Sequence, residues 1–135
     1  MNFGTISRFQ PYALSLLRIV AGFTFSLHGM QKLFGAFGGM GGKGGTAELF
    51  SLFWFAGILE CFGGLLVCAG LYTRLVAFVL SGQMAVAYFY AHGPRGFWPI
   101  INGGELAVLY CFIFLYFVFA GPGPLSLDKS ARGKM

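Results

Sequence analysis

The chain has 135 residues, of which 57% are apolar and only 10% charged, with a mean hydropathy of +0.76 and a formal net charge of +5. A soluble domain carries roughly 25% charged residues, so this chain has too little polar material to cover a water-facing surface, and the lipid bilayer is its natural solvent. The positive charges are scattered rather than gathered in a basic run, which argues against nucleic acid as a partner; a basic excess at helix ends is what anionic lipids and the positive-inside rule produce.

The opening, MNFGTISRFQPY, holds one basic residue and leads into an apolar run. That run is longer than a signal h-region and has no A-x-A-like cleavage site, so it predicts a permanent first span over about 12–34. Segment 35–46, GAFGGMGGKGGT, reads as a flexible loop. It is not a phosphate-binding loop: Gly42-Lys43 is followed by Gly44, and the position that needs the earlier glycine is Phe37. A second span is expected over about 47–71. The link through Tyr72, Thr73 and Arg74 is so short that a third span, about 75–90, must run antiparallel beside it. The next connection, HGPRGFWPIING, carries Phe97 and Trp98, residues suited to the membrane–water interface. A fourth span is expected over about 104–120, and a basic, proline-broken tail over 121–135.

Because backbone groups in lipid must be paired internally, these segments predict an all-α, integral membrane four-helix bundle forming one domain, 1–135. Arg8, Arg18, Arg74, Lys129, Arg132 and Lys134 fall on one side, and Lys32, Lys43 and Arg95 on the other. That asymmetry predicts both termini in the cytoplasm of a multi-pass protein of the bacterial inner membrane. Cys61, Cys68 and Cys111 form no CxxC pair. Cys61 and Cys68 would stand about 10 Å apart along a helix, too far for a disulfide, and all three read as small packing residues.

The chemistry lies in LLRIVAGFTFSLHGMQKLFG, residues 16–35. At 100° per residue Arg18, Phe25, His28 and Lys32 fall within an arc of ~80°. Ionisable groups facing lipid cost ~2.5–3.5 kcal/mol each, so this face should point into the bundle. Glu60, mid-way along the second span and flanked by Gly57 and Gly64, is the expected counter-charge. An Arg18–Glu60 pair is predicted, with His28 on the other side of Glu60 and Gln83 completing the network. A pair that only fixes helix packing remains an alternative, as does a snorkelling Lys32. A second, outer cluster of His92 and Glu105 is expected at the level of His28 and Lys32; for Glu105 the helix dipole alone is a sufficient reason. No HxxxH or ExxH spacing supports a metal site, so none is expected.

The pattern of the 16–35 stretch, then GILECFGGLLVCAGLYTR, then NGGELAVLYCFIFLYFVFAGPGPLSLD, resembles the DoxX family of small four-helix membrane proteins over about residues 12–128. The resemblance implies that Arg18, His28, Lys32, Glu60, Arg74 and Glu105 are the positions to carry over. It further implies links to terminal oxidase or thiosulfate:quinone oxidoreductase subunits and to membrane complexes that handle thiol or oxidative stress; distant relatives act as chaperones or cargo adaptors. One expectation is therefore a subunit of a membrane oxidoreductase system, with an oxidoreductase partner protein, that binds a quinone or a small anionic sulfur species between the helices. The alternatives are a non-catalytic scaffold for another protein, or a small transporter, which would need a homo-oligomer. No haem or flavin fingerprint is present.

Overall fold

A computed structural model describes residues 3–132, and among these every regular element is helical. Lys134, counted above for orientation, lies outside the described residues. The elements are α1 (Phe3–Ser7), α2 (Gln10–Phe34), α3 (Leu52–Ala69), α4 (Thr73–Arg95), α5 (Pro99–Asn102), α6 (Glu105–Ala120) and α7 (Leu127–Arg132). Helices α2, α3 and α4 are long and apolar enough to cross a membrane, and α6 is a shorter apolar helix. The third is longer than its apolar run suggested: a π-turn, Tyr88–His92, and a single 3₁₀ turn, Gly93–Arg95, extend it past the predicted end near 90.

Local chemistry accounts for the ends. Pro11 sits in the first turn of α2, where its missing N–H costs nothing. Gly35 ends that helix in the left-handed conformation at φ 66°. Ser51 caps α3 by accepting from the Trp54 amide at 3.2 Å. Helix α3 ends in a Schellman motif, with Leu71 N donating to Leu66 O and Gly70 N to Val67 O, both at 3.0 Å. The glycine-rich segment, expected to be a flexible loop, folds back on itself: Met40 N donates to Gly45 O and Gly44 N to Gly38 O, each at 2.7 Å. Its glycines supply the positive φ angles that this reversal demands.

Helix α2 packs along α3, and α4 along α6. The first pair meets through glycines. A Cβ on Gly22 would fall 2.6 Å from Gly64 O, and one on Gly29 would fall 2.6 Å from Gly57 O and Cys61 Cα. Gly57 and Gly64, which flank Glu60, admit α2, and the close approach depends equally on Gly22 and Gly29. In lipid, helix association rests on such van der Waals contact. Gly29→Ala is therefore expected to lower stability by about 1–3 kcal/mol. The check is the thermal unfolding midpoint in detergent micelles, against Gly82→Ala, whose new methyl meets nothing within 4 Å. Equal midpoints for the two variants would mean that the backbones do not touch at Gly29.

The centre holds Phe25, Val67, Leu80, Met84, Tyr110, Phe114 and Phe117. Phe25 packs edge-on to Phe114, with ring centroids 4.8 Å apart. Large apolar side chains such as Phe23, Phe62, Phe78, Phe89, Phe112 and Phe119 point outward, as they do when the surrounding solvent is lipid. The three cysteines are free thiols.

Candidate functional site

Two polar assemblies stand at opposite ends of the bundle. At the end where α2 begins and α6 stops, Arg18 is fully buried. Its Nε donates to Pro122 O at 2.8 Å, Nη1 donates to Val67 O and Cys68 O, and Nη2 donates to Leu125 O. The guanidinium thus joins the C-terminal carbonyls of α3, where the helix dipole is negative, to the Gly-Pro-Gly-Pro segment that follows α6. Arg74 donates through Nη1 to Val118 O and Phe119 O at the end of α6. Asp128 accepts from the Tyr72 and Thr73 amides at 2.8 and 2.9 Å, capping α4 from a distance in sequence. Partial burial pushes the Asp128 carboxyl up, but the Thr73 and Tyr72 amides together with the nearby Arg132 charge hold the group below its usual value. Ser15 completes the lock by accepting from Leu125 N at 3.2 Å.

The predicted Arg18–Glu60 pair is not formed. The reason is register. The Gly22 contact sets α2 beside Cys68, so Arg18 reaches the end of α3. Cys68 and Glu60 are about 12 Å apart along that helix. Glu60 pairs instead with Lys32, whose Nζ donates to Oε2. The side chains are 20% and 4% exposed respectively, so the ion pair is largely shielded. Gln83 Nε2 donates to Glu60 Oε1 at 3.1 Å and to Ala56 O at 3.3 Å.

This Lys32–Glu60–Gln83 group borders a cavity of about 540 Å³ between α2, α3, α4 and α6. A π-turn over Leu59–Gly63 carries Glu60, and the π-turn of α4 ends at His92 on the cavity wall. Such insertions are frequent at functional sites. His28 also lines the cavity. Its ring meets Tyr110 edge-on at 6.3 Å, and it makes no hydrogen bond among the described residues. Phe25 and Tyr110 form an aromatic wall, with Tyr110 Oη 2.8 Å from Thr24 Oγ1. Leu52, Phe53, Val86, Tyr90 and Leu106 line the cavity and are also exposed on the outer surface of the bundle. The cavity is therefore bordered by apolar side chains that also reach the outer surface of the bundle.

His92 reaches the same cavity, with Nδ1 3.2 Å from Asn102 O and 3.1 Å from Arg95 Nη2. Glu105 does not join it. It is exposed in the first turn of α6, with no ion pair to either histidine, and only the dipole reason for its position applies. The sequence reading missed Asn102, which is 1% exposed. Its Nδ2 donates to Gly96 O at 2.8 Å and to Tyr88 Oη at 3.1 Å, while Oδ1 accepts from Gly104 N at 2.8 Å. The Asn-Gly-Gly run ahead of α6 was the available signal, since Asn before glycine favours such local turns. Tyr90 and Tyr110 were also not singled out as cavity walls, because one aromatic among many carries no mark of its position, whereas Phe25 lies on the inward arc as expected.

The sequence profile of the DoxX family matches residues 13–93, which include Arg18, His28, Lys32, Glu60, Gln83 and His92. An uncharacterized protein of Haemophilus influenzae is 46% identical over 127 residues, covering 92% of this chain and 94% of its own length. No solved structure matches the chain. With a family profile spanning more than half of its length and a relative this similar from end to end, the chain belongs to the DoxX family.

Proposed function

We propose that this protein is a single four-span domain, residues 1–135, of the bacterial inner membrane. Both termini lie in the cytoplasm, and α6 is the fourth crossing. In this reading it serves a membrane oxidoreductase system, together with a partner oxidoreductase protein, by holding a quinone headgroup in the interhelical cavity.

The observation that supports this most is the make-up of the cavity. It combines a polar inner wall, an aromatic wall and an exposed apolar rim, which suits a flat polar ring on an isoprenoid tail. Its volume of about 540 Å³ lies within the usual range for small-molecule sites. Charge balance favours a neutral headgroup over a small sulfur anion. The Lys32 ammonium is already met by Glu60, and a second anion beside that carboxylate would be repelled. The Lys32 ammonium has N–H groups beyond the one given to Glu60, and His28 has an uncommitted ring nitrogen. These are the donors for a ring carbonyl. Once bound, a quinone supplies a two-electron, two-proton acceptor; His28 is the side chain placed to exchange a proton with it.

The test is titration of the purified protein with a short-chain ubiquinone analogue. Saturable binding is expected for the wild type, with at least about tenfold weaker binding to His28→Leu, since His28 makes no hydrogen bond that the fold depends on. Absence of saturable binding would remove the quinone reading. Recovery of one stoichiometric partner protein, with an empty cavity, would support the scaffold reading instead.

A further inference from the structure

A second cleft, of about 460 Å³, lies at the end of the bundle where α4 begins and α6 stops. It is bordered by Tyr72, Arg74, Leu75, Asp128, Lys129 and Arg132, among others. Three of these are cations and one is an anion, and the anion is already engaged. Both Asp128 oxygens accept backbone amides from Tyr72 and Thr73. Arg74 uses Nη1 on the α6 carbonyls, while its Nε and Nη2 make no hydrogen bond among the described residues. Lys129 and Arg132 are exposed in the short helix α7 and form no ion pair among the described residues, although Arg132 acts on Asp128 through its charge. The cleft thus gathers donors that the fold does not consume. Beside them, the exposed side chains of Tyr72, Leu75 and Leu125 present apolar surface. Helix α4 begins and helix α6 ends at this level, which is where lipid phosphates lie once those helices are in a bilayer.

We propose that this cleft binds the phosphate of an anionic phospholipid, in the leaflet on the side where α4 begins. Arg74 Nη2 and Nε, Lys129 and Arg132 hold the phosphate, and the acyl chains run along Leu75 and the adjoining apolar surface. The charge-assisted fork of Arg74 gives the site geometry, and the two exposed cations give it attraction. The site is independent of whatever occupies the interhelical cavity.

The experiment uses the full chain in an uncharged detergent, with bound lipid counted by native mass spectrometry. Phosphatidylglycerol is expected to bind at least about tenfold more tightly than phosphatidylcholine. Lys129→Gln/Arg132→Gln is expected to abolish that preference, and Lys43→Gln, in the glycine segment at the other end of α2, to leave it intact. Thermal midpoints of the three proteins confirm that each is folded. Equal retention of the two lipids would overturn the proposal, as would an unchanged preference in the double variant. Equal loss of the preference in Lys43→Gln would reduce it to diffuse charge attraction. Displacement of phosphatidylglycerol by millimolar inorganic phosphate would identify a site for free phosphate and overturn the lipid assignment.

Discussion

Lys32→Met is expected to destabilise the protein by about 3–5 kcal/mol, because it leaves a buried carboxylate without its counter-charge. Glu60 is only 4% exposed, and its other side-chain partner is the neutral amide of Gln83. The cost arises from the stranded charge rather than from the lost contact. Glu60→Gln added to the same chain should therefore restore most of the thermal midpoint in detergent micelles, since an amide beside methionine strands no charge. A Lys32→Met variant that melts with the wild type, and a double variant that gains nothing, would show that Glu60 carries no charge for Lys32 to balance.

Arg18→Met should cost a similar amount, about 3–5 kcal/mol, by a different route. One guanidinium serves four carbonyls from two parts of the chain, Val67 and Cys68 at the end of α3 and Pro122 and Leu125 beyond α6. Methionine fills much of the volume but donates nothing. Arg18→Lys should recover only part of the loss, because a point ammonium lacks the planar fork. The distinguishing readout is proteolysis. The chain after Gly121 should become cleavable in Arg18→Met while the cavity end stays protected. A tail that remains protected would mean that Asp128 and Ser15 hold it without the guanidinium.

These two residues show where sequence was informative and where it was not. Long apolar runs announced the long helices because lipid favours such lengths, and the runs near 12–34 and 104–120 end within two residues of α2 and α6. The inward turn of the Arg18–His28–Lys32 face could be read from 3.6-residue periodicity and the cost of charge in hydrocarbon. The partner of each charge could not. Partnering depends on the axial register of α2 against α3, and that register is set by backbone contact at Gly22, Gly29, Gly57 and Gly64. Heights counted from assumed membrane edges carry an error of a helical turn or more. The actual offset is about 12 Å, more than two turns, between Glu60 and the level of Cys68 that Arg18 reaches, and it separates an Arg18–Glu60 pair from the Lys32–Glu60 pair that forms. Asp128 was equally opaque as a cap. It meets Tyr72 and Thr73 across more than fifty intervening residues, and no local pattern encodes a contact that remote. The π-turns at Glu60 and His92 left no trace in the apolar pattern either, because their flanking residues are as apolar as those of a regular helix.

The charges that carry the resemblance thus divide by location. Arg18 and Arg74 hold helix ends together, and their carbonyl partners leave them little freedom for chemistry at the cavity. Lys32, Glu60 and His28 border open volume, together with Gln83. Only this second group is placed to meet a ligand that enters the interhelical cavity, which is why the functional proposal rests on it.

Photolabelling with an azidoquinone, followed by peptide mapping, tests that proposal most directly. The account predicts adducts on cavity-rim residues of α3 and α4, Phe53 and Tyr90 among them, that disappear when unlabelled quinone is added in excess. Adducts spread evenly over outward-facing residues such as Phe78, Phe112 and Phe119, with no effect of competitor, would contradict it.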